Sequence, residues 1–434
     1  MKKILIISYF FPPCNLTASQ RIAGWATYLS DFGYYPIIVT RNWDIPINSA
    51  EDASISTGTE IIHDKNDKRE VYYLPFIAGK RDEIFSKYKG NKFFQKISKI
   101  ITFKELLLES FTNSVIPSAN MYEFSRDLIK NDSSIKALLI SAKPYIHFKF
   151  GYQLNKEFGI KWIADYRDDW NTSELELKKG FLMKIIEKIQ IKSEKKWLKS
   201  TACVTSVSKI YADKIGQFVE KDGFVLLNGY DGIDSSKIII DDSNSFKILY
   251  NGSLYRTQPI EILLNAVKRI ISNNKTCMEI QLYFPGLSFH KAQEKRVLDF
   301  MKGYENNVHI TNRISKVEVI QMQQNSDLLI MISHEGYKGV PSSKLYEYVG
   351  LKKHILLFPN DHDIVEETLI NTGLGVICDN EEDIYLNIEE LLFQKQSGIH
   401  TIPNLNQEMI NFYSRKNQTA ELAKLLDRII GVTI

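Results

Sequence analysis

The ten residues Gly339-Val340-Pro341-Ser342-Ser343-Lys344-Leu345-Tyr346-Glu347-Tyr348 join two kinds of pattern. Before them runs an apolar segment, Asp327–Ile332, and a polar loop, Ser333 to Gly339. After them come Gly350, placed to end a short helix, and a second apolar run, Ile355–Phe358. A strand, a loop opening into a helix and another strand form a βαβ unit, and such loops bind ligands at the carboxyl edge of open α/β sheets. A helix start offers backbone N–H groups and the positive end of a dipole, which suit phosphate, and Lys344 adds a charge. Glu347 lies three positions on, on the same side of the helix. Lysine for phosphate beside a carboxylate for sugar hydroxyls reads as a grip for a nucleotide sugar. Taken alone, the plainer reading of the stretch is an ordinary capped helix with an i,i+3 ion pair.

Working outward, 434 residues exceed one core and predict two domains of ordinary size. The net charge of +3 is too small to make nucleic acid the main partner. Cys14, Cys203, Cys277 and Cys378 form no CxxC pair or Cys/His cluster, which fits a reducing cytosol and argues against disulfides or zinc. Lys2-Lys3 followed by Ile4–Phe11 looks like a short signal peptide, but Pro12-Pro13-Cys14 is no cleavage site, so a first buried strand is expected. No run is long enough to span a bilayer.

In the first half, Lys3–Tyr9 reads as a parallel strand covered on both faces. A loop, Phe10–Ser19, leads to a helix over Ala18–Phe32 that Gly33 ends, and Tyr35–Thr40 is the second strand. The loop lacks GxGxxG but carries Asn15, Thr17, Ser19 and Arg21, which either meet a ligand or merely cap the helix. Trp43–Arg69 is a polar surface excursion and Val71–Leu74 a strand. Lys80–Asn113 alternates lysines with Ile, Phe and Leu. Such a segment lies on an anionic membrane or covers an acceptor; the plainer alternative is a surface helix with a solvated lysine face. Ala137–Ile140 and Lys161–Ala164 are further strands. The second runs into Asp165-Tyr166-Arg167-Asp168-Asp169-Trp170. Charges at the end of a buried strand are costly unless they pair or face a ligand. A third strand, Ala202–Val207, precedes Ser208 as a helix cap, and Asp231–Ser245 is the candidate linker.

The pattern then restarts. Phe246–Tyr250 is a strand, and Asn251–Pro259 is its loop, in which Gly252 permits close approach and Arg256 is a candidate phosphate ligand. Met278–Phe284 and Val308–Ile310 are strands, with helices over Ile262–Ile270, Lys291–Lys302 and Lys316–Gln324, the last capped by Ser315. After the opening stretch come a helix over Ile364–Thr372, a strand at Gly375–Cys378 and a helix over Glu381–Phe393. Gln407–Ile430 is helical and is expected to return to the first half. The fold class is therefore α/β, with two Rossmann-like, doubly wound domains facing across a cleft. The expected division is 1–232, 246–405 and a C-terminal helix over 406–434.

Several segments together resemble the GT-B glycosyltransferases, family 4 in particular: Tyr9–Pro13 with Arg21; Asp165–Asp168 with Trp170; Thr205–Ser208; Asn228–Asp231; Tyr250–Leu254; and Gly339–Tyr348. They stand in the family's order across nearly the whole chain. The resemblance implies an enzyme of the hexosyltransferase type. It would move a sugar from a nucleotide-diphosphate donor to a glycan or lipid-linked acceptor in surface polysaccharide synthesis, with retention and without metal or cofactor. It implies donor binding by Gly252, Arg256, Pro341, Ser342, Ser343, Lys344, Leu345 and Glu347, with Glu347 on the ribose. Asp165, Arg167, Asp168, Arg256 and Lys344 would serve catalysis, the cations stabilising the leaving diphosphate. Asn15, Thr17 and Arg21 would border the acceptor. A cytoplasmic location, peripheral at the inner face of the membrane, goes with Lys80–Asn113. Two positions depart from the family's pattern: Gly339 stands where a glutamate is usual, and Ser253 where an arginine is usual. The alternatives are a nucleotide-sugar epimerase or hydrolase using Asp165 and Asp168, and a non-catalytic sugar-nucleotide-binding subunit.

Overall fold

A computed structural model describes every residue except 45, 46, 48–51, 89, 90, 174–180, 233–243, 274–277, 341, 400, 401, 403 and 432–434. The candidate linker, Cys277 and Pro341 therefore lie wholly or mainly outside the described residues. The chain forms two units. One is Met1–Asn228 with Arg415–Ile434, the other Gly229–Ser414.

The first unit contains β1 (Lys2–Ser8), α1 (Ala18–Tyr28), β2 (Tyr34–Arg41), β3 (Ile62–Lys65), β4 (Glu70–Leu74), α2 (Lys80–Lys87), α3 (Lys92–Leu108), α4 (Ala119–Asn131), β5 (Ile135–Ala142), α5 (His147–Phe158), β6 (Trp162–Tyr166), α6 (Phe181–Leu198), β7 (Cys203–Ser206), α7 (Lys209–Val219) and β8 (Gly223–Val225). Its sheet has the order β3-β4-β2-β1-β5-β6-β7-β8, with only β3 antiparallel to its neighbour. Ile4–Ile7, Ala137–Ile140 and Trp162–Ala164 are all buried, as continuous apolar runs in a sheet covered on both faces must be. β3 and α4 fall where the pattern predicts no element. β3 has no buried residue and is an edge strand held by β4 alone, so it carries no apolar signal. α1 ends at Tyr28 and tightens into a 3₁₀ turn, Leu29–Phe32, before Gly33 closes it at φ 82°.

The second unit contains β9 (Ser245–Leu249), α8 (Ile260–Asn273), β10 (Glu279–Phe284), α9 (Lys291–Phe300), β11 (Val308–Ile310), α10 (Lys316–Gln324), β12 (Leu328–Ile332), α11 (Ser343–Leu351), β13 (His354–Phe358), α12 (Ile364–Thr372), β14 (Gly375–Ile377), α13 (Glu381–Gln396) and α14 (Gln407–Phe412). Its sheet is parallel throughout, in the order β11-β10-β9-β12-β13-β14. Ser315 caps α10 in a capping box with Glu318. Gly350 does not end α11. The helix runs on to Leu351, and Lys352 makes the left-handed cap at φ 54°. Gly350 instead makes room: a Cβ there would come within 2.5 Å of the Tyr230 ring.

The last helix, α15 (Arg415–Ile430), belongs to the first unit, where Leu422, Ala423, Leu425 and Leu426 join Ile22, Trp25 and Leu29 in the core. The return comes at Arg415 rather than at 406, because α14 packs on α12 and Tyr413 O accepts from Tyr230 N, both within the second unit. The chain leaves the first unit after Asn228 rather than at 232.

Both sheets are wound outward from a central pair, β1/β5 in one and β9/β12 in the other. Loops after such a pair leave in opposite directions, and the crevice between them is where open α/β sheets bind ligands.

Candidate active site

In the second unit, the loops after β9 and β12 are laced together. Gln258 Nε2 donates to Ile332 O at 2.6 Å, Glu335 N donates to Thr257 O at 3.1 Å, and Thr257 Oγ1 lies 2.8 Å from His334 Nδ1. The loop after β9 is also fixed from behind. Asn251 N donates to the Tyr348 hydroxyl at 3.2 Å, and Gly252 N to Pro285 O at 3.1 Å. Those two N–H groups are therefore spent inside the unit. What approaches Gly252 is the Lys344 side chain. A Cβ on Gly252, whose φ is +86°, would stand 3.3 Å from Lys344 Cε.

Lys344 Nζ sits 4.2 Å from the centre of the Tyr250 ring. Among the described residues no hydrogen bond or ion pair reaches it, so the expected i,i+3 bridge to Glu347 is not made. Burial lowers the Lys344 pKa to about 7, against a smaller upward pull from the Glu347 charge. His334 is held below its usual range by burial and then by the Lys344 charge, which places both at one spot.

The other expected donor residues surround this point in the chain. Ser342 caps α11 by accepting from Lys344 N at 3.4 Å, and Ser343 opens the helix. Leu345 is buried in the interior and Glu347 partly buried on α11. Arg256 is exposed in the loop after β9. Gly339 adopts φ +74° and donates its N–H to the Asp363 carboxylate. Tyr250, Tyr348, Thr257 and His334 were not among the expected site residues. In the sequence Tyr250 ends an apolar strand and opens the segment Tyr250–Leu254, and neither reading points to Lys344, 94 positions away.

In the first unit, register brings Ser141, Asp165 and Thr205 side by side on β5, β6 and β7. Asp165 is fully buried and accepts from Ser141 Oγ (2.7 Å), Thr205 Oγ1 (2.8 Å), Arg21 Nε (3.2 Å) and Arg21 Nη2 (2.9 Å). Arg21, 4% exposed, also donates to Leu227 O and lies over the Trp25 ring. Four donors fill both carboxylate oxygens, so Asp165 has no lone pair for a substrate proton. Asp165 and Arg21 form a buried tie in which both groups are spent within the unit.

The neighbouring charges are different. Arg167 donates to Asp168 at 3.0 Å, Lys143 stands 3.6 Å from the same carboxylate, and about half of the Asp168 side chain is exposed. Burial alone would raise the Asp168 pKa, but Arg167 and Lys143 outweigh it and lower it. Tyr145 supports this loop, with its hydroxyl 3.0 Å from Asp168 O and 2.8 Å from Asp169 O and its ring stacked on Trp170. Asn15 uses both amide atoms on the Ile47 backbone (3.2 and 3.1 Å) and so holds its own loop. Thr17 is exposed and makes no cap bond, while Ser19 bonds the carbonyls of Cys14 and Leu16.

Among the described residues, no three His, Cys, Asp or Glu side chains gather as a metal site, and no helix is long and apolar enough to cross a membrane.

This is the GT-B fold: two units, each built on a Rossmann-like sheet, parallel but for β3, wound about a switch point. The chain is similar over essentially its whole length to three solved structures. Sucrose-phosphate synthase from Thermosynechococcus elongatus superposes with TM-score 0.62 at 14% identity, covering 100% of both chains. A glycosyltransferase from Rickettsia africae gives 0.60 at 14%, again over 100% of both. HepE from Anabaena, in complex with UDP, gives 0.59 at 12%, over 99% of this chain and 100% of that one. No protein-family model matches the sequence, and no curated protein sequence matches it. The likeness is one of fold.

Proposed function

We propose that the chain is a hexosyltransferase that uses a nucleotide-diphosphate sugar, retains the anomeric configuration and needs neither metal nor cofactor. The observation that carries this reading is Lys344. It is a partly buried cation at the switch point of the second unit, with no hydrogen-bond or ion-pair partner among the described residues and with glycine-made space beside it. A phosphate oxygen is the partner such a site lacks. In this reading Lys344 and Arg256 neutralise the leaving diphosphate, Glu347 holds the ribose hydroxyls, and the backbone of Gly252, Ser342, Ser343 and Leu345 lines the donor.

Arg167 and Asp168 face the acceptor, with Thr17 at the rim. Retention is supported by the state of the carboxylates in the first unit: Asp165 is saturated, and Asp168 is paired with two cations, so neither is a strong base for an inverting attack. The acceptor is a glycan or a lipid-linked glycan of a surface polysaccharide. α3 supports a membrane-side acceptor. It has no buried residue, and it presents Phe93 (66% exposed) and Ile100 (68% exposed) among Lys92, Lys96, Lys99 and Lys104.

The test is incubation with a panel of nucleotide sugars, reading free nucleotide diphosphate with and without a lipid-linked glycan. Release that requires the acceptor supports the reading, and NMR of the product's anomeric centre checks retention. Isomerised donor would make the protein an epimerase. No donor binding by calorimetry would leave a protein that keeps the fold alone.

A further inference from the structure

We infer that Tyr250 is a positioning residue for the donor phosphate: its ring face, in place of a carboxylate, holds the Lys344 ammonium beside Gly252 until an anion arrives. The inference rests on the reading of Lys344 as the donor-phosphate ligand.

The ring centre lies 4.2 Å from Nζ, inside the range at which an aromatic face attracts a cation. The ring is fixed. Tyr250 is 3% exposed, and its hydroxyl lies 2.8 Å from Ser253 O and 3.1 Å from Gln258 Oε1. Gln258 is itself held by Ile332 O. Gly252 keeps the side of the lysine stem open. The physical distinction is between two kinds of partner. A carboxylate at hydrogen-bond distance would compete with a phosphate and have to be displaced. A bare apolar wall would drive the buried amine to its neutral form. An aromatic face offsets part of that burial cost by favouring the ammonium, yet offers no lone pair that a phosphate must replace.

The consequence is conditional on pH. A weaker ring should cost nucleotide affinity where the lysine is losing its proton, and little where it is fully protonated. A residue that merely fills space would cost affinity equally at every pH.

The experiment replaces Tyr250 by phenylalanine (Tyr250→Phe) as the reference, and then by phenylalanines carrying increasing numbers of ring fluorines. These keep the ring's shape and fold while draining its negative face. UDP is the probe, with affinity read by calorimetry between about pH 6 and about pH 8.5, either side of the lysine's transition. At the alkaline end, affinity should fall stepwise with fluorination, by about tenfold over the series. At the acid end the series should converge to within about threefold, the alkaline loss being larger by the deprotonated share. A series flat at both ends, while Lys344→Ala weakens UDP binding by about tenfold or more, overturns the role of Tyr250 alone. Equal losses at both ends also overturn it, because that is packing. UDP binding by Lys344→Ala at wild-type strength overturns the reading of Lys344 itself.

Discussion

Lys344 changes charge within the range where proteins are ordinarily assayed, and the sign of that change matters. Its folded pKa, about 7, lies below the ordinary lysine value of 10.5. Between those values the unfolded chain binds more protons, so the unliganded protein gains stability as pH rises through this window. Diphosphate binding runs the other way. It selects the ammonium, so affinity should tighten as pH falls through about 7, with proton uptake. Calorimetry in buffers of different ionisation heat should show that uptake near neutral pH and lose it in acid. Lys344→Ala should cost about 1.5–3 kcal/mol of diphosphate binding, or roughly 10- to 150-fold, without lowering the melting temperature. A variant that binds normally removes the assignment. The lysine's identity and place were legible in the sequence, since only the chain order is needed to put it at a helix start after a buried strand. Its partner was not. Spacing along a helix offers Glu347, whereas the contact that forms is with Tyr250, the residue just past the end of β9, and the pairing of β9 with β12 brings the two together.

Asp165 shows the same limit at the level of elements. A carboxylate at the end of β6 is plainly visible in the chain, but the hydroxyls of Ser141 and Thr205 reach it only through the register of β5 and β7, and Arg21 reaches it from α1. One residue on β6 thus joins three strands and a helix, one strand away from the first unit's central pair. Arg21→Ala should leave that charge buried without its partner and cost about 3–5 kcal/mol in urea unfolding. Replacing the pair together, Arg21→Met with Asp165→Leu, should cost less, because no charge is stranded; an equal or greater loss would show that packing rather than charge sets the penalty. The periodic elements themselves were largely readable, since strands buried on both faces and amphipathic helices announce themselves. β3 was not, because an edge strand with no buried side chain has no such signal. α3 was readable as amphipathic and basic, and the structure leaves two of its apolar side chains, Phe93 and Ile100, exposed. Its binding to anionic vesicles should weaken severalfold between about 0.05 and about 0.3 M salt, as screening shortens the reach of its lysines. Equal binding to neutral vesicles, measured by co-sedimentation, would refute the electrostatic part.

At the scale of the whole chain, the second unit is one continuous segment, while the first is closed only when α15 returns to it. The restart of the βαβ pattern after residue 245 is visible in the sequence. The point of return is not, because α14 and α15 read as one helix until packing separates them at Tyr413 and Ser414. This connectivity makes the two units unequal under truncation. Removing Arg415–Ile434 takes Leu422, Leu425 and Leu426 from the core around Ile22, Trp25 and Leu29, along with the Gln418 amide that accepts from Leu227 N. Burial of three large apolar side chains is worth about 5–9 kcal/mol, comparable with the whole stability of an ordinary domain. The shortened chain should therefore lose protection of β1, β5 and β6 in hydrogen exchange while keeping that of β9, β12 and β13. The second unit retains its own closed core, from Phe246 and Ile248 to Leu391 and Leu392. Gly229–Ser414 expressed alone should accordingly fold, and it should bind a nucleotide diphosphate within about tenfold of the full chain, since Lys344, Tyr250, Gly252 and Glu347 all lie inside it. A folded fragment that does not bind, tested by calorimetry with UDP, ADP and GDP, would mean that the first unit supplies part of the donor site.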